Sequence, residues 1–344
     1  MTKIDIFSGF LGAGKTTLIK KLITEAYAGE KLVLIENEFG EIGIDGGFLQ
    51  DAGIEINEMN SGCICCSLVG DFSRALEKVL DEYHPDRVLI EPSGVGKLSD
   101  VIRAVKSIEA HDATLGAFIT VVDAKKCKMY GKNFGEFFFD QIEHASTVVL
   151  SHQKGLSEDK LSAAVAMIRE HNETATVVTT PWDELDGKTI LAAMEKTDTV
   201  EAELARLREE HEHHHQHEQH HDHEHHQHHD EDECHDPDCS CHHHHHHADE
   251  VFTALGAETE KCFAESEIKK ILEALAENTE AYGMILRAKG IVPTPDGTWI
   301  HFDYVPGEGD VRFGTAAVTG RLCVIGSNVK KEALETLFGV SLKG

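Results

Sequence analysis

The sequence predicts an α/β protein: a mostly parallel sheet with helices on both faces, joined to a smaller α+β domain. Three observations carry that prediction. Apolar strand-like runs alternate with helical patterns through the first half of the chain. A tract of His, Glu, Asp and Gln then interrupts all periodicity and cannot build a core. Beyond it an amphipathic helical pattern and several strand-like segments resume.

The strand-like runs of the first part are Ile4–Phe7, Leu32–Ile35, Arg87–Ile90, Phe118–Val122, Val148–Leu150 and Thr176–Thr179. Helical patterns at Thr16–Ala26, Phe72–Leu80 and Glu158–Arg169 separate them, which is the alternation a parallel sheet requires. In the last part, Ser266–Ala276 places Ile268, Ile271, Leu272 and Leu275 on one helical face. Strand-like segments follow at Gly283–Lys289, Trp299–Tyr304, Val311–Phe313 and Leu322–Ile325, with a closing helix near Lys330–Phe338. The expected organisation is a first domain over 1–200, a disordered His/acidic linker over 201–249 and a second domain over 250–344.

The chain has 344 residues, enough for two domains, and a formal charge of −29. That charge argues against nucleic acid, whose phosphates are bound by clustered Lys and Arg. No secretory leader and no apolar run of membrane-spanning length is read, so the expected location is the cytoplasm, without a membrane partner. Nine cysteines fit metal ligation in a reducing compartment better than a disulfide framework. Cys127, Cys262 and Cys323 stand apart and read as small buried hydrophobes.

Gly9-Phe10-Leu11-Gly12-Ala13-Gly14-Lys15-Thr16 matches the phosphate-binding pattern G-x-x-x-x-G-K-[ST], with a strand before it and a helix after it. This is the mark of a P-loop NTPase. Backbone N–H groups around Gly9, Gly12, Ala13 and Gly14 would close on phosphates, Lys15 would meet the β/γ oxygens, the Thr16 hydroxyl would ligate Mg²⁺, and Thr17 follows at the helix start. Glu91, in Leu89-Ile90-Glu91-Pro92-Ser93-Gly94, stands where such proteins carry a second Mg²⁺-directed carboxylate, and Gly94 could sense the γ-phosphate. Lys15, Thr16 and Glu91 are the candidate catalytic residues.

Glu36, Glu38 and Glu41 leave the strand at Ile35 where a nucleotide-sensitive switch would lie. Cys63-Ile64-Cys65-Cys66 offers three thiolates, a Zn²⁺ set with a fourth position open for handover; a redox thiol group or packing cysteines is the alternative. Nineteen of the 25 histidines fall between residues 211 and 247, a second, weaker metal store beside acidic stretches. Its six-histidine run continues a longer His/Glu pattern and is read as native rather than as a tag.

Gly9–Thr17, Glu36–Glu41, Ser61–Cys66 and Glu91–Gly94, together with the His-rich stretch and Leu286-Arg287-Ala288-Lys289-Gly290, resemble the CobW family of P-loop metallochaperone GTPases. The resemblance covers nearly the whole chain. It implies GTP and Mg²⁺ as cofactors, zinc or the related Co²⁺ or Ni²⁺ as cargo, and transfer to a client metalloprotein on GTP hydrolysis. It also implies Cys63, Cys65 and Cys66 as metal ligands with Glu36 and Glu41 as additional candidates; a homodimer is left open. One departure concerns the base. Where the family presents an N-K-x-D-type sequence, this chain reads Ser151-His152-Gln153-Lys154, so Lys154 stands in place of the guanine-reading carboxylate. Ser151 remains a candidate nucleotide contact; either Asp183 or Glu184 replaces the carboxylate, or the nucleotide preference has relaxed. The alternatives are a nucleotide-gated zinc, nickel or cobalt buffer or sensor, a cobalt or nickel insertion factor, and a small-molecule kinase that would leave the thiols unexplained.

Overall fold

The computed structural model of the chain describes residues 1–36, 55–58, 69–106, 113–195 and 248–344. Seven strands, β1 (Thr2–Ser8), β2 (Leu32–Glu36), β3 (Glu55–Glu58), β4 (Arg87–Glu91), β5 (Ala113–Asp123), β6 (Thr147–Ser151) and β7 (Thr176–Val178), form one sheet in the order β3-β2-β4-β1-β5-β6-β7. Every pairing in it is parallel. All seven strands therefore end on the same edge, and the strand order reverses direction about β1, the position where open α/β sheets bind ligands.

Among the described residues, five helices lie in the crossovers, α1 (Lys15–Glu25), α2 (Val69–Tyr83), α3 (Leu98–Lys106), α4 (Cys127–Glu143) and α5 (Glu158–His171), and α6 (Gly187–Met194) follows the last strand. Strand alternation sorts them onto two faces. Val33, Ile35, Val88, Ile90, Val148 and Leu150 pack with Phe72 and Leu76 of α2, Val101 of α3, Phe138 of α4 and Ile168 of α5. Leu32, Leu34, Leu89, Ile119 and Val149 point the other way, onto Leu18 and Leu22 of α1 and Ile190 and Met194 of α6. At the opposite edge from the strand ends, Arg87 is buried between Asp5 (2.5 Å), Glu30 (2.7 Å) and Glu195 (2.9 Å). Burying a guanidinium is tolerable there because carboxylates occupy its donors.

The second sheet is antiparallel, in the order β11-β10-β9-β12-β8, from β8 (Thr253–Thr259), β9 (Met284–Pro293), β10 (Trp299–Val305), β11 (Glu308–Phe313) and β12 (Gly320–Ser327). One face, with Ala288, Phe302 and Val324, packs on helix α8 (Glu265–Glu277) through Ile268, Ile271, Leu272 and Leu275, the residues the sequence placed on one face. The closing helix α10 (Lys331–Phe338) joins it through Leu334 and Phe338. The other face carries Leu286, Cys323 and Ile325 into the core of the first domain. Short helix α7 (Ala248–Val251) leads Phe252 into that junction, and α9 (Thr279–Tyr282) precedes β9.

The structure extends several expected elements, notably β5 back to Ala113 and β9 on to Pro293, and adds β3, β8, α3, α4 and α6, for which no periodic signal was read. The spacing of Leu98, Val101, Ile102 and Val105 in α3 is that of an amphipathic helix and was available to a sequence reading, whereas β3 and α6 are short elements that tertiary packing decides. Cys127 and Cys323 are buried as expected, but Cys262 is exposed, which corrects its reading as a core residue. It sits in the short link between β8 and α8, where no sheet face covers it. Among the described residues, no helix is long and apolar enough to cross a membrane.

Candidate functional site

The loop between β1 and α1 turns on glycines with positive φ: Gly9 (140°), Gly12 (72°) and Gly14 (100°). Gly14 caps α1 in the left-handed region, so the helix starts directly at Lys15 with its N-terminal N–H groups turned toward the loop. Lys15 is 5 % exposed; its Nζ donates to the Gly9 carbonyl at 2.9 Å and lies 4.0 Å from Glu91 Oε1. The ammonium is thus folded back over the loop, as phosphate binding requires. Thr16 Oγ1 stands 3.0 Å from both carboxylate oxygens of Glu91, which ends β4 beside β1. A hydroxyl and a carboxylate in this arrangement are oxygen ligands suited to a hard cation such as Mg²⁺. Ala13 is buried and Thr17 exposed.

Beyond Glu91, the loop approaches the phosphate-binding turn closely enough that a Cβ on Gly94 would lie 2.9 Å from the Leu11 amide nitrogen. Gln141 of α4, fully buried, fixes that loop by donating its amide to the carbonyls of Gly94 (3.3 Å) and Gly96 (2.8 Å). Tyr130 of the same helix donates to the Leu11 carbonyl at 3.4 Å, and burial pushes its phenol pKa up, keeping it a donor. Neither residue bears a local motif that a sequence reading could use.

Register places carboxylate-bearing positions side by side at this edge: Glu36 of β2 pairs with Glu91 of β4 on one side and Glu58 of β3 on the other. Glu58 is also the last described residue before the thiol segment. Cys63, Cys65, Cys66, Glu41 and the histidine tract lie outside the described residues. Among the described residues no cluster of His, Cys, Asp and Glu forms a metal site.

The second domain contributes to the same region. Phe10 of the loop packs on Tyr130, with ring centroids 4.5 Å apart, and on Phe134, Phe138 and Phe252. Such pairs add about 0.5–1.5 kcal/mol each beyond their buried area. A Cβ on Gly12 would stand 2.4 Å from Val305 Cγ1 at the end of β10. The phosphate-binding loop is therefore clasped between the two domains.

Farther along the edge, a cavity of about 300 Å³ opens between the loop after β6 and the loop after β7, lined by Ser151, His152, Gln153, Lys154, Trp182 and Asp183 with Lys125 at its side. Ser151 is buried and its hydroxyl donates to the Val122 carbonyl at 3.3 Å. Lys154 Nζ meets Asp183 Oδ2 at 2.5 Å; this bond raises the lysine pKa and holds the carboxyl below its usual range.

The parallel sheet, the glycine turn into α1, the buried lysine and the Thr16–Glu91 pair define a P-loop nucleotide-binding protein. Residues 3–179 match the family described as CobW/HypB/UreG, nucleotide-binding domain, and residues 252–342 match the Cobalamin synthesis protein cobW C-terminal domain. The chain belongs to the CobW/HypB/UreG family. It is 29% identical over 188 residues to the zinc chaperone YeiR of Escherichia coli (strain K12), covering 54% of this chain and 57% of that one. The zinc chaperone YjiA of the same strain is 31% identical over 191 residues (53% and 58%), and the zinc chaperone CobW of Sinorhizobium sp is 39% identical over 127 residues (35% and 36%). The chain thus spans between about a third and three fifths of the length of these relatives. A solved structure of Zn(II)-bound YjiA GTPase from E. coli aligns over 98% of both chains at 19% identity and a TM-score of 0.40.

Proposed function

We propose that this protein is a GTP-dependent metallochaperone that binds zinc through Cys63, Cys65 and Cys66 and passes it to a client protein as GTP is hydrolysed. The observation that carries the reading is the strand edge on which the phosphate-directed residues and Glu36 stand together. Lys15, Thr16 and Glu91 form a phosphate- and cation-directed group at the strand ends. Glu36 stands in register between Glu91 and Glu58, and Glu58 is the last described residue before the thiol segment. Family membership and relatives named zinc chaperones support the same conclusion.

In this mechanism Lys15 neutralises charge on the β/γ oxygens, while Thr16 and Glu91 would hold Mg²⁺, which supplies Lewis-acid stabilisation of the transferring phosphoryl group. Gly94 would respond to the γ-phosphate, a role supported by its close approach to Leu11 of the phosphate-binding loop and by the Gln141 hydrogen bond to its carbonyl. Glu36 and Glu41 would join the thiolates or release them as that loop moves. Borderline thiolate ligation suits Zn²⁺, with Co²⁺ and Ni²⁺ close competitors. The three-part organisation, 1–200, 201–249 and 250–344, makes the histidine tract a reservoir between the nucleotide domain and its smaller companion.

Purification without affinity chromatography, followed by metal analysis and turnover assays with GTP and ATP, tests the proposal. Bound zinc near one per chain and GTP turnover that Lys15→Ala nearly abolishes are expected. Phosphate release unchanged in Lys15→Ala, or zinc content unchanged in Cys65→Ser, would overturn the corresponding half of the reading.

A further inference from the structure

We infer that the guanine base is read in this chain by Asp183, delivered from the loop after β7 and positioned by Lys154 of the loop after β6. The inference rests on the proposed GTP binding and deepens it by naming the specificity-determining residue.

The cavity comes first. At about 300 Å³ it falls at the lower end of small-ligand sites. It lies past the ends of β6 and β7, on the edge that carries the phosphate-binding loop. Trp182 ties the two together: a Cβ on Gly14 would stand 3.9 Å from its ring. The indole therefore reaches from the start of α1 into the cavity wall and offers a flat apolar face for a base.

The polar groups then decide what fits. The Ser151 hydroxyl is committed to Val122 and the Gln153 amide nitrogen to the Leu150 carbonyl at 3.0 Å. Among the described residues, Asp183 is the sole carboxylate lining the cavity, and an ionised carboxylate only accepts. Guanine presents N1–H and the N2 amino group as adjacent donors, a match for two carboxylate oxygens. Adenine sets a lone pair at N1 beside its amino group, which a carboxylate repels. Lys154 only donates, so it can hold Asp183 and still face the O6 acceptor. The side chains of Lys154 and Asp183 are 76% and 48% exposed, so the pair contributes little to folding on its own. Its removal should register in nucleotide affinity and leave stability alone.

The test measures equilibrium affinities of the full chain, with Mg²⁺ present, for the diphosphates of guanosine, inosine, xanthosine and adenosine. Wild-type protein should prefer guanosine over inosine, which lacks the N2 amino group. Asp183→Asn should weaken guanosine diphosphate on the order of 10- to 100-fold, the scale of one bidentate base contact. It should also strengthen xanthosine diphosphate, whose C2 carbonyl accepts from the new amide. Lys154→Ala should weaken guanosine diphosphate by less and keep the guanosine-over-inosine preference. Melting curves superimposable on wild type establish that Asp183→Asn is folded. Unchanged guanosine selectivity in folded Asp183→Asn would overturn the assignment alone, whereas wild-type protein that binds adenosine diphosphate as tightly as guanosine diphosphate would overturn the GTP reading beneath it.

Discussion

Thr16 Oγ1 lies 3.0 Å from each carboxylate oxygen of Glu91, although the two residues belong to different elements, α1 and β4. Neighbouring parallel strands β1 and β4 end together and bring them there. Glu91→Gln keeps the shape and removes the charge. GTP hydrolysis should fall on the order of 10²-fold, the scale seen when one preorganised electrostatic group is lost. GDP affinity measured without Mg²⁺ should hold steady, and an equal loss there would show that Glu91 supports the fold of the site rather than the cation.

Gly12 and Val305 give a second prediction. A methyl group on Gly12 meets Val305 at 2.4 Å, and its φ of 72° is left-handed. Gly12→Ala should destabilise by about 2–4 kcal/mol through backbone strain and overpacking together. Adding Val305→Ala should recover the overpacking part but not the strain. Denaturant unfolding of the two single variants and the double variant measures the coupling, and strictly additive effects would mean that the domains do not press on each other here.

Asp140 supplies the pH dependence. Burial raises its carboxyl pKa above the ordinary 3.8, against the opposing pull of His144 and of the Ser99 hydrogen bonds. The folded chain therefore holds this proton more tightly than the unfolded chain. That stabilisation is complete below the unfolded value and is lost as pH rises through the raised folded value. Asp140→Asn cannot ionise, so its stability relative to wild type should climb as pH rises from the ordinary value of 3.8 through the raised folded value. A difference in melting temperature that stays flat as pH rises above 3.8 contradicts the assignment.

If the thiols and the Glu36 edge respond to the γ-phosphate, zinc affinity should differ between GDP and a non-hydrolysable GTP analogue by about 1–3 kcal/mol. Competition against a chelator in each nucleotide state measures it. Equal affinities would favour a passive buffer.

The histidine tract should behave as a separable store. Deleting 211–247 should lower the number of weakly bound ions while sparing the cooperative melt and GTP turnover, since Lys15, Thr16 and Glu91 all lie in the first sheet's edge. Imidazoles bind metal only when neutral, so this capacity should drop between about pH 7.5 and pH 5.5. A deletion that also stops turnover would make the tract part of the catalytic unit.

The mostly parallel character of the first sheet, the phosphate-binding turn and the apolar face of α8 were legible because each is written in local spacing. The unbroken apolar runs Leu32–Ile35 and Val88–Ile90 declare strands buried on both faces, and the glycines before Lys15 declare a turn that only glycine tolerates. Other features depend on partners far away in the chain. Gln141 reaches Gly94 across 47 residues, and Lys154 meets Asp183 across 29. The sequence by itself settled six strands of the first sheet, the nucleotide-binding loop and the chemistry on offer, because periodicity and local turn geometry follow from neighbouring residues. Tertiary structure alone decided that Val305 closes on Gly12, that Gln141 clamps the Glu91 loop and that Asp183 faces the cavity, because strand order and domain docking choose which distant side chains share one edge.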